Sequence, residues 1–365
     1  MSMRSAVICC ALVTLAVGCS SSKNGSAGTG GSGGAGGGSG GAGGSGGSGG
    51  APSLDAGGSA NCAASAPAAF DLNMVNRAEG LVVGPDGTVY FSDFGNHVMR
   101  WAPPYSSPPE LTWVTIPGTR ILGVMLDPKK KVIYAGARSA PVPTVPDGGV
   151  PPDAGAPPAT PGLYKIDVTS GSATRVVDVE AGVNGLTMGD DGSVYYADQC
   201  CNPGQADPNR GHIYRVTADG MKSQVTKTSI DNADGIAFGP DKKLYVIPYL
   251  EAGVPITRLT LDASNKETAR DVFVDLATAN PALAKHGDGI AFDSQGNVYL
   301  TANALWKVKP DKTVTMLDAQ GGANVEFGVG ALPCTQLIWV TNSATIHPKQ
   351  LKNDVPGADV YWHRP

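Results

Sequence analysis

Four short dipeptides place an oxygen-bearing side chain directly ahead of glycine and an apolar run. They are Glu79 in "EGLVVGPDGTVYFSDF", Asn184 in "NGLTMGDDGSVYYADQ", Asp234 in "DGIAFGPDKKLYVIPY" and Asp288 in "DGIAFDSQGNVYLTAN". One Asn-Gly or Asp-Gly pair is ordinary turn chemistry, because these residues tolerate unusual backbone angles. Four acidic or amide residues in the same place of a recurring pattern ask for another reason. Gathered into one small space, three carboxylates repel, and at least one must take up a proton unless a cation sits among them. A donor set made only of oxygen suits a hard divalent ion, Ca²⁺ before Mg²⁺. It lacks the His or Cys of a dedicated Zn²⁺ site. Such an ion can polarise a carbonyl or activate water, with Asp288 or Asp234 the nearest carboxylate to accept a proton.

The elements that must gather these residues are strands. Each dipeptide opens an apolar strand, a turn rich in Asp, Gly, Lys and Pro, and a second apolar-aromatic strand. A further copy, "LGVMLDPKKKVIYAGA", starts at Leu122, and a looser one, "NVEFGVGALPCTQLIWVTNS", starts at Asn324. Third strands follow in "HVMRWAP", "GLYKIDV", "HIYRVTA" and "LWKVKPD", and fourth strands in "TWVTI" and "TRVVDV". From Glu79 to Leu122 is 43 positions and from Leu122 to Asn184 is 62, of which 23 are the insertion Ser139–Pro161; the next two intervals are 50 and 54. Six copies of a three- to four-stranded unit predict an all-β fold, a six-bladed β-propeller of four-stranded antiparallel blades. A sandwich has no use for a repeated x-Gly entry. In a propeller the first strand of each blade is innermost, so the residue before each glycine points to the axis at one end. Around the ring stand Glu79, Leu122, Asn184, Asp234, Asp288 and a sixth residue near Asn324.

"AEGLVVGPDGTVYFSD", "VNGLTMGDDGSVYYAD" and "GDGIAFDSQGNVYLT" resemble the regucalcin/gluconolactonase/luciferin-regenerating-enzyme family of six-bladed propellers, over roughly 69–344. The resemblance implies a catalytic divalent metal held by a Glu, two Asn and an Asp at the blade entries. Carried over by motif, Glu79 matches the Glu, Asn184 the first Asn and Asp288 the Asp. Asp234 stands where the second Asn is usual, which keeps an oxygen ligand and adds a charge. The implied activity is hydrolysis of a lactone or ester, with a sugar lactone the nominal substrate. A rival resemblance is carried by "VYFSDFGNHVMRW", whose Asn96-His97 looks like an NHL repeat; it implies a non-catalytic propeller that binds a protein or small ligand.

Connections from second to third strands lie at the same end as the entries. Three are long: Ser139–Pro161, Asp198–His212 and Ile247–Pro255. Long loops over a site act as lids or specificity elements. Asp198, Asn209 and Arg210 on the second loop, with His286 two residues before Asp288, are the candidate substrate contacts. No Gly-x-Ser-x-Gly elbow is present.

The chain of 365 residues carries a formal net charge of −5 with both signs dispersed. That excludes the clustered basic face of a nucleic-acid binder. Residues 1–18 read as a signal peptide: "MSMR" is a positive n-region and "AVICCALVTLAV" an apolar stretch too short to span a bilayer. "LAVGC" resembles a lipobox, which implies acylation at Cys19 and anchoring to a membrane of the cell envelope. Ser20 in place of Asp directs the expectation to the outer membrane. From 19 to 60 a Gly/Ser-rich linker cannot bury a core and is expected to be a flexible tether. The propeller, expected as a monomer, occupies 61–365. Cys62, Cys200, Cys201 and Cys334 remain after the signal and anchor, an even number for an oxidising compartment. Cys62 precedes a segment that could supply the last blade's outer strand, and Cys334 lies at that blade's far end, so a Cys62–Cys334 bridge is expected. Cys200 and Cys201 form either a strained vicinal bridge or two thiols.

Overall fold

A computed structural model of the protein describes residues 70–71, 78–139, 161–179, 182–199, 211–250, 253–329, 332, 334–340, 345–351 and 355–358, all within the unit Pro52–Pro365. They build six four-stranded antiparallel sheets. After β1 (Phe70–Asp71), the first blade is β2 (Leu81–Val83), β3 (Val89–Ser92), β4 (His97–Trp101) and β5 (Glu110–Thr115). The second is β6 (Thr119–Asp127), β7 (Val132–Ser139), β8 (Gly162–Asp167) and β9 (Ala173–Asp178). The third is β10 (Val183–Met188), β11 (Val194–Asp198), β12 (Ile213–Val216) and β13 (Lys222–Gln224). The fourth is β14 (Ala233–Phe238), β15 (Leu244–Pro248), β16 (Pro255–Leu261) and β17 (Glu267–Asp275). The fifth is β18 (Gly287–Phe292), β19 (Val298–Ala302), β20 (Leu305–Val308) and β21 (Val314–Asp318). The sixth is β22 (Asn324–Phe327), β23 (Gln336–Val340) and β24 (Thr345–Gln350), with β1 as its outer strand, Phe70 opposite Ile346 and Asp71 opposite Thr345. The N-terminal strand thus closes the ring, as the sequence suggests. The one helical element among the described residues is a 3₁₀ turn at Leu276–Thr278, and no described helix is long and apolar enough to cross a membrane.

The recurrent turn has a chemical basis. In the first blade Gly84 N–H donates to Thr88 O (2.8 Å), Gly87 N–H donates to Gly84 O (2.9 Å), and the Asp86 carboxylate accepts from Thr88 N–H (3.0 Å). Asp191 and Ser193 repeat this in the third blade, and Asp241 and Lys243 in the fourth. The turn needs a left-handed residue: Gly87, Gly192 and Gly296 supply it, and Lys242 takes it with φ 62° in "GPDK".

The core lies between blades. Tyr195 of the third blade meets Phe238 of the fourth edge-on at 5.0 Å, Tyr245 meets Phe292 of the fifth at 4.8 Å, and Tyr299 meets Phe327 of the sixth at 5.2 Å. Each such pair adds about 0.5–1.5 kcal/mol beyond its buried area. The pairs also set the register of neighbouring inner strands, because each Phe lies on the innermost strand of its blade.

Candidate functional site

In the second to fifth blades the innermost strand carries one extra residue where the x-Gly pair stands. The register against the second strand shifts between Ile121 and Val124, Val183 and Leu186, Ala233 and Ile236, and Gly287 and Ile290. A bulge of this kind re-aims a side chain. The glycines have a steric role. A Cβ on Gly80 would collide with Leu122 O, on Gly123 with Asn184 O, on Gly185 with Asp234 O, and on Gly235 with Asp288 O. None of these glycines has a positive φ. What glycine supplies is close approach between blades, not turn geometry. Each entry residue therefore rests its backbone on the glycine of the preceding blade, and Glu79, Leu122, Asn184, Asp234 and Asp288 follow one another around the ring.

The sixth position is Ala323, one residue before the expected Asn324. Gly289 N–H donates to Ala323 O (3.1 Å), as Gly80 N–H donates to Leu122 O (2.9 Å). Phe327 then falls four residues after the entry, as Phe238 and Phe292 do. Asn324 occupies the place of glycine, its Cα 2.5 Å from where a Gly289 Cβ would stand, and the sixth blade has no bulge. The ring thus reads Glu, Leu, Asn, Asp, Asp, Ala.

Its four polar members are almost fully enclosed: Glu79, Asn184, Asp234 and Asp288 are 5, 5, 1 and 8 % exposed. Asn184 Nδ2 donates to Gln199 Oε1 (3.2 Å), and Gln199 Nε2 donates to Asp234 Oδ2 (2.8 Å). Glu79 N–H donates to Ser92 O (3.1 Å), while Ser92 Oγ donates to Leu122 O (2.7 Å) and accepts from Gly80 N–H (2.9 Å). Thr301 Oγ1 accepts from Gly289 N–H (3.0 Å) in the fifth blade. Second-strand hydroxyls thus fasten the entries of both blades. Among the described residues no three His, Cys, Asp or Glu side chains are gathered as a metal site. The ring's fourth donor is the amide of Asn184.

The candidate substrate contacts divide. Asp198 ends β11, is buried, and its N–H donates to His212 O (2.9 Å). His286 is half-buried in a left-handed conformation (φ 53°), its N–H donates to Leu250 O (2.8 Å), and its ring lies 4.7 Å from that of Tyr249. Asn209 and Arg210 lie outside the described residues, as do Cys19, Cys62, Cys200 and Cys201. Cys334 is disulfide-bonded. The Asn96-His97 pair leads from a bend into β4, where Asp93 accepts from Gly95 N–H (2.7 Å) and His97 N–H (3.2 Å) and holds His97 Nδ1 at 2.7 Å.

Sequence reasoning missed five residues here. Gln199 stands beside Asp198 but carries no charge to attract notice. Phe94, in the left-handed region at φ 55°, lies under the Arg120 guanidinium (4.6 Å) and the Arg138 guanidinium (5.5 Å). Arg120 precedes the entry residue Leu122 by two, and the Arg138 side chain abuts Gly182, two before Asn184. Deeper on the sixth inner strand, burial pushes the Glu326 carboxyl up to about 7. The corresponding residues elsewhere, Val82, Met125, Thr187, Ala237 and Ala291, cannot ionise.

Residues 77–343 match the family model for the SMP-30/gluconolactonase/LRE-like region. No curated protein matches the sequence. Similar solved structures include a structural-genomics protein assigned as a gluconolactonase (19 % identity, 80 % of this chain and 94 % of that one, TM-score 0.58). A gluconolactonase from Xanthomonas campestris matches at 18 % identity over 79 % of this chain and 89 % of its own, TM-score 0.56. A luciferin-regenerating enzyme matches at 14 % identity over 81 % and 99 %, TM-score 0.57. At these identities the structures establish a shared fold, and the family model covers most of the chain. The chain belongs to the SMP-30/gluconolactonase/LRE-like family.

Proposed function

We propose that this propeller is a divalent-metal-dependent hydrolase of lactones or esters, with Ca²⁺ the preferred ion, carried at the cell envelope by a lipid on Cys19. Family membership supports a lactonase-like hydrolase at the coarse level. The observation that carries the finer reading is the donor set: three carboxylates and an amide, all buried, on consecutive or near-consecutive entries of one ring. A buried carboxylate is more easily kept ionised with positive charge nearby, and the entries set three of them on one ring. An oxygen-only set fits Ca²⁺ in donor chemistry. When bound, such an ion supplies Lewis acidity toward a lactone carbonyl.

The chain's own groups do the rest. Glu79, Asn184, Asp234 and Asp288 are the residues that would hold the ion. Asp288, or Asp234 after it, takes the proton from the attacking water, a carboxylate's ordinary role as general base. Asp198 and His286, with Asn209 and Arg210 as further candidates from the sequence, orient the substrate's hydroxyls. The half-buried Arg120 and Arg138 add positive charge beside the ring.

The test is an assay of protein lacking residues 1–19 against aldono-lactones and aryl esters with Ca²⁺, Mg²⁺, Mn²⁺ and Zn²⁺. Glu79→Gln and Asp288→Asn each keep size and an oxygen while deleting one charge. Metal-dependent turnover that falls about a hundredfold or more in both is expected, since each ~1.36 kcal/mol of lost transition-state stabilisation is tenfold in rate. Turnover unchanged in both variants places the chemistry elsewhere. No turnover by any protein on any substrate favours a binding propeller.

A further inference from the structure

Asp234 departs from the family motif, and Gln199 gives that departure a consequence. An ionised carboxylate only accepts hydrogen bonds. The group 2.8 Å from Asp234 Oδ2 must therefore be the amide nitrogen of Gln199. That choice fixes the other end of the same amide. Gln199 Oε1 faces Asn184, and Asn184 must answer with its own nitrogen, as observed at 3.2 Å. The Asn184 oxygen is then left on the side away from Gln199.

We propose that Gln199 is a positioning residue through which the charge on Asp234 sets the amide orientation of Asn184, so that Asn184 offers oxygen rather than nitrogen to the cation. The proposal rests on the reading of the ring as a cation site. With the relay reversed, Gln199 would set an oxygen against a carboxylate, and Asn184 would turn an N–H toward the ion. Both changes are repulsive. An Asn at position 234, as the family motif has it, carries both donor and acceptor and would impose no direction on Gln199. Asp234 and Gln199 therefore act as a matched pair. The Gln199 N–H also offsets part of the third carboxylate's charge. The residue is well placed for this. Its own N–H is held by Gly182 O at 3.0 Å, at the end of β11, so its side chain spans from the entry of the third blade to that of the fourth.

The test measures Ca²⁺ affinity by calorimetric titration, with metal-free melting as the folding control. Gln199→Met keeps length and removes both hydrogen bonds; Gln199→Ala is the second variant. Either is expected to weaken Ca²⁺ binding by roughly 10–100-fold, the usual effect of losing a partner of a metal ligand, with little change in metal-free melting. Asn184→Asp supplies an oxygen on either side and needs no orientation. It is expected to restore binding in the Gln199→Met background by much more than it improves the wild type, a non-additivity that a merely structural Gln199 would not produce. Wild-type affinity in both position-199 variants, or an equal gain from Asn184→Asp in both backgrounds, overturns the relay and leaves the cation site standing. A wild-type protein that binds no Ca²⁺ overturns the cation site, and the relay with it.

Discussion

Replacing Gly235 by alanine tests how the blades are held together and how the ring is built. The new Cβ would collide with Asp288 O and stand 2.8 and 2.9 Å from Ile247 Cγ1 and Cδ1, below the 3.0 Å that real Cβ atoms respect. Ile247 can rotate, but the Asp288 carbonyl is backbone of the neighbouring inner strand. Relief requires the fourth and fifth blades to part by roughly an ångström, and a gap of that size forfeits a quarter to a half of each affected contact. The Tyr245–Phe292 pair at 4.8 Å lies in that seam, as do Ile290 and Leu300. Overpacking alone commonly costs about 1–3 kcal/mol. With a backbone clash and a loosened aromatic pair (about 0.5–1.5 kcal/mol) the loss should reach about 3–5 kcal/mol. At roughly 2–4 °C per kcal/mol for a large domain, melting should fall by roughly 6–20 °C in calorimetry. Gly220→Ala is the control: its φ is +86° but its nearest neighbour is Val176 O at 3.7 Å, so backbone strain of about 1–2 kcal/mol is expected without a clash. Because Asp288 moves with its carbonyl, Gly235→Ala should also lose stabilisation by Ca²⁺. A Gly235→Ala protein as stable as the Gly220→Ala control refutes the close-approach account of the x-Gly entries.

Glu326 should impose a pH dependence on stability. Its carboxyl is pushed up to about 7 by burial, so between about 4.5 and about 7 the folded chain keeps a proton that the unfolded chain has lost. Stability then falls as pH rises through that window, by at most about 3 kcal/mol and less because Glu326 keeps part of its surface exposed. Glu326→Gln should flatten this slope in urea titrations from pH 4.5 to 8 and gain about 1–3 kcal/mol above pH 7; identical slopes in both proteins count against a buried carboxyl there. Cys334 is disulfide-bonded, and non-reducing peptide mapping is expected to recover it joined to Cys62. A Cys334 peptide joined to any other cysteine rejects that pairing.

Much of the architecture is legible in the chain because one solution is used repeatedly. The apolar-turn-aromatic repeat recurs with little change, and it locates five of six ring positions. Ala323 escapes because Asn324 replaces the glycine that marks an entry elsewhere. The hydrogen bond from Gly289 N–H to Ala323 O and the packing of Phe327 on Tyr299 place the sixth strand in register. The closing strand is legible as a leftover apolar segment that the last blade needs. The reason for the glycines is not, since Asn-Gly and Asp-Gly read locally as turns and their true constraint is a carbonyl from a blade about fifty residues away. Gln199 escapes for a similar reason: its two partners belong to different blades, 15 and 35 residues along the chain. Phe94 and the two arginines around it come from two blades and show no local pattern. Side chains whose role depends on contact across blades are the ones a linear pattern hides.

The central claim is that the ring of Glu79, Asn184, Asp234 and Asp288 binds a divalent cation, and thermal melting with and without chelator tests it most directly. A ligand present at a hundred times its dissociation constant stabilises the fold that binds it by about 2.7 kcal/mol. Treatment with EDTA should therefore lower the melting temperature by several degrees, Ca²⁺ added in excess should restore it, and Glu79→Gln should show a smaller recovery. A melting temperature indifferent to EDTA and to added Ca²⁺, in protein that carries no metal by mass spectrometry, would contradict the account.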